Sequence, residues 1–230
     1  MGSVSEQTLE HGIVPPPWTL RGSGWVIFYN FDREFMQQPN TRRPEFKGLW
    51  RGGLGAIAVL DYRESGVGPY SELLFVPGRF AEGRKRYHSI ATIFVSSQAS
   101  VVNGQANWGI PKQLAEFQFT ADDEGVTQIS AAQTGYTFFE LKAREGHISL
   151  PVNTRLCPIT LMQKWEGRTF FTRLSLRAGV RWLTIESIWA NNAYFPDPSR
   201  ARPLGAVKLD DFQITFPIPE VKAGAPEAGA

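Results

Sequence analysis

The sequence predicts an all-β domain, antiparallel and barrel-like, with one minor helix, and three observations carry that prediction. Apolar runs rich in β-branched and aromatic residues recur at short spacing, each bounded by Gly, Pro, Asn or Asp. Helical periodicity is nearly absent, and no long linker divides the chain. A length of 230 residues suits a single large β domain that wraps an interior pocket.

In chain order, residues 1–17 read as a flexible arm ending in Pro15-Pro16-Pro17. A β domain over 18–216 follows, and 217–230 reads as a frayed Pro/Ala/Gly tail. Trp25 to Phe31 and Gly55 to Tyr62 are strand-like. Ser65-Gly66-Val67-Gly68-Pro69 turns the chain into Tyr70 to Val76, which makes a hairpin. Gly78 to Tyr87 reads as a basic loop. His88 to Ser97 is the strongest strand signal. Gln98 to Asn107 shifts to small residues, as a short helix capped by Ser96 or Ser97 would. Leu114 to Thr120, Val126 to Ala132 and Tyr136 to Arg144 follow as strands, with further strands at 169–177, 180–189 and 207–216.

Composition narrows the function classes. The net charge of +2 comes from scattered arginines, and short clusters such as Arg84-Lys85-Arg86 read as solvated loops, so no nucleic-acid partner is expected. No apolar run approaches a membrane span, and the N-terminus lacks the apolar core of a signal peptide, so no membrane partner is expected either. Cys157 is the single cysteine. It excludes an intramolecular disulfide, reads as a buried thiol, and suggests a reducing, cytoplasmic setting. His11, His88 and His147 are widely separated and match no metal-site spacing, so no metal is expected.

One turn stands out chemically. In Trp108-Gly109-Ile110-Pro111-Lys112, proline fixes its own φ and glycine allows a tight turn. The flanking residues are poor in water. Dry surroundings lower a lysine's pKa, and a neutral lysine attacks carbonyl carbon. The plain alternative is a lysine that snorkels into solvent. Lys142 is the rival amine, at a strand end where exposure is expected.

Three pieces now resemble the acetoacetate decarboxylase family across residues 14–216. Pro17-Trp18-Thr19-Leu20-Arg21-Gly22 is similar to its Pro-aromatic opening. Gly68-Pro69-Tyr70-Ser71-Glu72 is similar to its Gly-x-Tyr-x-Glu hairpin. Ser100 to Ala115, with Gly104 and Pro111-Lys112, resembles the segment bearing the Schiff-base lysine. The resemblance implies a double-cone antiparallel β fold, a homo-oligomer, and a small-molecule carbonyl substrate held as an imine on Lys112 with no other cofactor. It also implies that Glu72 faces Lys112 in the pocket.

The departures from the family pattern are specific. Gln113 replaces a second lysine, and Ser23 stands where an arginine meets the substrate carboxylate, with Arg21 two positions away. Ile57 falls at a second pocket glutamate, and Gly104-Gln105-Ala106 replaces Gly-Arg-Glu. Lys112 and Glu72 are therefore the expected catalytic pair. Tyr70, Gln113, Trp108, Arg21, Gln105, Ser23 and Ile57 are the expected substrate contacts, with Trp25, Phe28 and Trp189 as further wall candidates. A neutral Glu72 that shuttles protons fits a lysine freed by burial. The expected reaction is decarboxylation of a β-keto acid or of a larger apolar carbonyl substrate. Aldol or dehydration chemistry through the same enamine, and non-covalent isomerisation, cyclisation or binding, are the alternatives.

Overall fold

The computed structural model describes residues 12–154 and 159–223. Of the sequence expectations, the arm up to residue 11 with His11, the buried thiol of Cys157 and the tail from residue 224 fall outside the described residues. The described chain is all-β apart from one α-helix and two 3-10 turns, Phe35–Gln37 and Pro44–Phe46.

The elements run β1 (Trp18–Tyr29), β2 (Gly55–Glu64), β3 (Tyr70–Val76), β4 (Arg79–Glu82), β5 (Lys85–His88) and β6 (Thr92–Val95). Helix α1 (Gln98–Trp108) follows, then β7 (Lys112–Leu114), β8 (Glu116–Ala121), β9 (Val126–Gln133), β10 (Tyr136–Asn153), β11 (Ile159–Trp165), β12 (Arg168–Ala190), β13 (Pro203–Phe216) and β14 (Glu220–Ala223). The main sheet path is β4-β5-β11-β12-β13-β1-β2-β3-β6-β7. Among the described residues its two ends do not pair, so the barrel-like sheet is open and curled rather than closed. All pairings are antiparallel except β5–β11 and β6–β7. Strand β12 draws the sheet around itself, because its first half pairs β11 and β14 and its second half pairs β10.

Period-2 alternation sorts the side chains of β1, β2 and β3 onto two faces. Trp25, Ile27, Ile57, Val59, Leu73 and Phe75 enter one core, closed by Phe138, Phe139 and Phe195. Trp18, Leu20, Ala58, Leu60, Tyr62 and Tyr70 enter a second core, closed by α1, β12 and β13. The second face holds the pocket. A bulge at Arg63 on β2, and another at Asp210-Asp211 on β13, flank the unbulged β1. Bulges bend a strand and increase its twist, which adds to the curl of the sheet.

Four local expectations change. Gly78 to Tyr87 is not a loop, because β4 and β5 form a hairpin across Gly83-Arg84, with Gly83 at φ 57°. In the run from His88 to Ser97, His88 ends β5 and the only other strand is β6. Residues 169–177 and 180–189 are one continuous strand, β12. Within the segment expected to fray, β14 pairs with β12, and Lys222 lies 5.1 Å from the Phe171 ring centroid. None of the described helices is long and apolar enough to cross a membrane.

Candidate active site

Helix α1 sets the lysine. Ser97 caps its N-terminus by accepting from the Ser100 amide, and Gly109 ends it in the left-handed region at φ 63°. A Cβ on Gly109 would lie 2.6 Å from the Phe170 ring, so glycine is required there for space as well as for φ. The chain then turns through Ile110-Pro111 and enters β7 at Lys112. Gln105 donates its side-chain amide to the Lys112 carbonyl at 3.1 Å, tying the helix to the turn.

Lys112 is buried, at 6% exposure. Its Nζ donates to Glu72 Oε2 at 3.0 Å, Ser100 Oγ at 2.9 Å and Tyr70 Oη at 3.2 Å. Three acceptors match the three N–H donors of an ammonium. Tyr62 Oη approaches the other Glu72 oxygen at 3.4 Å. Burial works to strip the proton from Nζ, but the Glu72 carboxylate and the Tyr70 oxygen outweigh it, so the Lys112 pKa is raised. This reverses the expectation of a lysine lowered by dryness: the sequence neighbours of Lys112 are apolar, but the groups it touches are polar. Burial, followed by the Glu72 charge, pushes the Tyr62 phenol well up; burial also raises the Tyr70 phenol, although Lys112 partly offsets it.

Lys112 and Glu72 lie at one end of a cavity of about 390 Å³. Its walls come from β1, β2, β3, β5, β6, β7, β11, β12 and β13. Tyr62, Glu72, His88 and Lys112 are its polar lining residues, and the rest are apolar or glycine. Burial, only partly offset by a hydrogen bond to the Leu54 backbone, lowers the His88 pKa, and the Arg79 charge lowers it further. The imidazole is therefore uncharged at neutral pH.

The structure brings Lys112, Glu72 and Tyr70 together, and separates the other expected substrate contacts from the cavity. Ser23 and Arg21 lie on the opposite face of β1, where Arg21 pairs with Glu64 at 3.7 Å. Ile57 points into the other core; its neighbours Ala56 and Ala58 line the pocket instead. Gln113 is exposed on β7. Gln105 braces the turn. Trp108 packs between Trp18 and Phe216 and donates to the Pro217 carbonyl. Of the further aromatic wall candidates only Phe28 lines the cavity. Trp25 faces away, under Lys208 at 3.2 Å, and Trp189 is 42% exposed. Lys142 is at the surface, paired with Glu186 at 3.1 Å. Sequence reading missed Ser100, Tyr62 and His88. Tyr62 carried a signal, since it stands directly across the hairpin from Tyr70.

Gly104 offers a direct check of this packing. A Cβ there would lie 2.6 Å from Lys112 Cδ and 2.8 Å from Cε. Alanine favours a helix interior by about 1 kcal/mol over glycine, but its Cβ would push Lys112 off its buried partners, so Gly104→Ala is expected to lower thermal stability. If Lys112 captures carbonyl compounds, displacing its anchored tip is expected to slow that capture by about tenfold or more, since small misplacements cost that much. Thermal unfolding measured beside adduct formation checks both halves.

A curled antiparallel sheet with a buried amine at the end of an apolar cavity defines a β-sheet pocket protein. Residues 11–157 match the acetoacetate decarboxylase family, and the chain belongs to that family. No curated protein matches the sequence. Solved structures share the fold. The acetoacetate decarboxylase of Legionella pneumophila is 14% identical, with 91% of this chain and 88% of that chain covered and a TM-score of 0.67. An acetoacetate decarboxylase-like enzyme from Sphingomonas wittichii is 14% identical, with 93% and 95% covered and a TM-score of 0.66. The enduracididine biosynthesis enzyme MppR is 15% identical, with 92% and 89% covered and a TM-score of 0.62. At such identities the likeness concerns the fold alone.

Proposed function

We propose that the protein is a lyase-type enzyme that captures a carbonyl substrate as an imine on Lys112, with Glu72 carrying the protons. The observation that supports this most is the 3.0 Å contact between Lys112 Nζ and Glu72 Oε2 inside one apolar cavity. The proton on Nζ passes to Glu72, leaving a neutral amine beside a neutral acid. The amine adds to the carbonyl carbon as Glu72 returns its proton to the oxygen. The Glu72 carboxylate then takes a second proton from the added nitrogen and passes it to the hydroxyl, which departs as water and leaves the iminium beside a charged Glu72. The resulting iminium draws in the electron pair released when carbon dioxide leaves a β-keto acid, or when a carbon–carbon bond opens in retro-aldol cleavage. The enamine is then protonated, and water releases the product and restores the amine.

A second reading is favoured by one observation. Lys112 is saturated as an ammonium by three acceptors, as it would be in a pocket that binds carbonyl compounds without covalent chemistry. Reduction separates the two. The protein is incubated with acetoacetate, pyruvate and a longer β-keto acid, and borohydride is added. Peptide mass spectrometry is expected to find a reduced adduct on Lys112, and carbon dioxide release identifies decarboxylation. No adduct with any carbonyl, together with full activity in Lys112→Gln, would sink the covalent reading.

A further inference from the structure

We infer that the pocket is selective for an uncharged carbonyl compound with an apolar body of roughly eight to ten carbon atoms, its carbonyl at Lys112 and its tail toward Leu54 and Ile159. This rests on the imine reading and narrows it to a substrate class.

Length is the first argument. Leu60 pairs with Glu72, and Ala56 pairs with Val76, on the adjacent strands β2 and β3. All four line the cavity. Four residues of strand span about 13 Å, so the apolar wall continues that far from Glu72. Leu54 and Ile159 also line the cavity and are 51% and 46% exposed, which marks the mouth. A three- or four-carbon keto acid would touch only the lysine end and leave the remaining wall without a partner. Cavities of this size suit larger, mostly apolar ligands.

Charge is the second argument. Among the described lining residues, Lys112 is the only cation at neutral pH, and Glu72 already neutralises it. A substrate carboxylate would bring an unpaired anion into an apolar cavity beside another carboxylate. Desolvating such an ion costs several kcal/mol unless a partner repays it. The family's arginine position is Ser23 here, on the far face of β1, and cannot supply that partner. Arg79 acts on His88 at the mouth end, away from Lys112. An uncharged ketone or aldehyde meets no such penalty, and proton transfer from Lys112 to Glu72 leaves the whole site neutral. Retro-aldol, aldol or dehydration steps at the enamine need no carboxylate.

The test is reductive trapping on Lys112, followed by intact mass. Methyl ketones from acetone to 2-undecanone are compared with 2-oxo acids of matched length, which keep the carboxylate beside the carbonyl. Capture of the ketones is expected to rise by up to roughly fourfold per methylene and to level off near ten carbons. Each matched acid is expected to react at least about tenfold more slowly. Ala56→Phe, which fills the far half, is expected to move the optimum to shorter ketones. Acids captured as fast as ketones, or capture independent of chain length, would overturn the inference while the imine reading stands. No adduct with any compound would remove both.

Discussion

Lys112→Met is expected to lose all reductive adduct and all turnover, and to lower stability by about 3–5 kcal/mol, the usual cost of leaving one member of a buried ion pair alone. Both members are almost fully enclosed, at 6% and 4% side-chain exposure, so solvent screening offers little relief. A Lys112→Met/Glu72→Met double variant is expected to recover most of that stability, because two apolar side chains remove both desolvation penalties at once. It remains inactive. Urea unfolding of the three proteins, with adduct formation in each, is the measurement. Recovery of stability without recovery of capture would show that the pair serves chemistry more than folding. A double variant as unstable as the single one would mean that the pair, or the packing of its aliphatic stems, holds the pocket together.

The parts of this arrangement readable in the sequence are those set by neighbouring residues. Ser97, Gly109 and Pro111 each act within one turn of the chain, so the cap, the stop and the entry of Lys112 could be placed beforehand. The Tyr70-x-Glu72 pattern puts both side chains on one face by period 2 alone, and both reach Lys112. What could not be read depends on pairing between distant segments. Ile57 is an expected pocket position that lies in the other core, because one residue of register in a strand exchanges the faces. Ser100 reaches Nζ because α1 folds back over β7, and its small polar side chain carries no signature of that role. Strands β4 and β5 hide in a charged stretch because their polar residues suit a sheet edge, where pairing needs no apolar face. The protonation of Lys112 differs from expectation for another reason: Glu72 is expected opposite it as a neutral acid, and only the folded chain sets the 3.0 Å contact through which a charged carboxylate holds the proton.

Glu72→Gln is expected to separate amine reactivity from turnover. In the native protein, burial lowers the Lys112 pKa and the Glu72 carboxylate raises it, with the carboxylate and Tyr70 prevailing. The folded pKa is therefore above the unfolded value of about 10.4. The linked stability is fully present below that value and disappears as pH rises through the folded pKa. With glutamine the carboxylate is gone and burial is the largest influence left, so the folded pKa falls. The unfolded chain then binds the proton more tightly, and stability rises with pH between the lowered folded pKa and about 10.4. Stoichiometric capture of a small ketone should shift to lower pH, because more of the amine is neutral there. Turnover should nevertheless drop by about 10²–10⁴, the range associated with a positioned acid–base group, since the carboxyl that carries protons between Nζ and the substrate oxygen is gone. The pH profile of capture and multiple-turnover kinetics, run on the same variant, test the two halves. A capture profile that stays put, or moves to higher pH, would mean that Glu72 is not what holds the proton on Lys112. Unchanged turnover would move the proton carrier to Tyr70, among the described residues the only other acid in contact with Nζ besides the weakly acidic Ser100 hydroxyl.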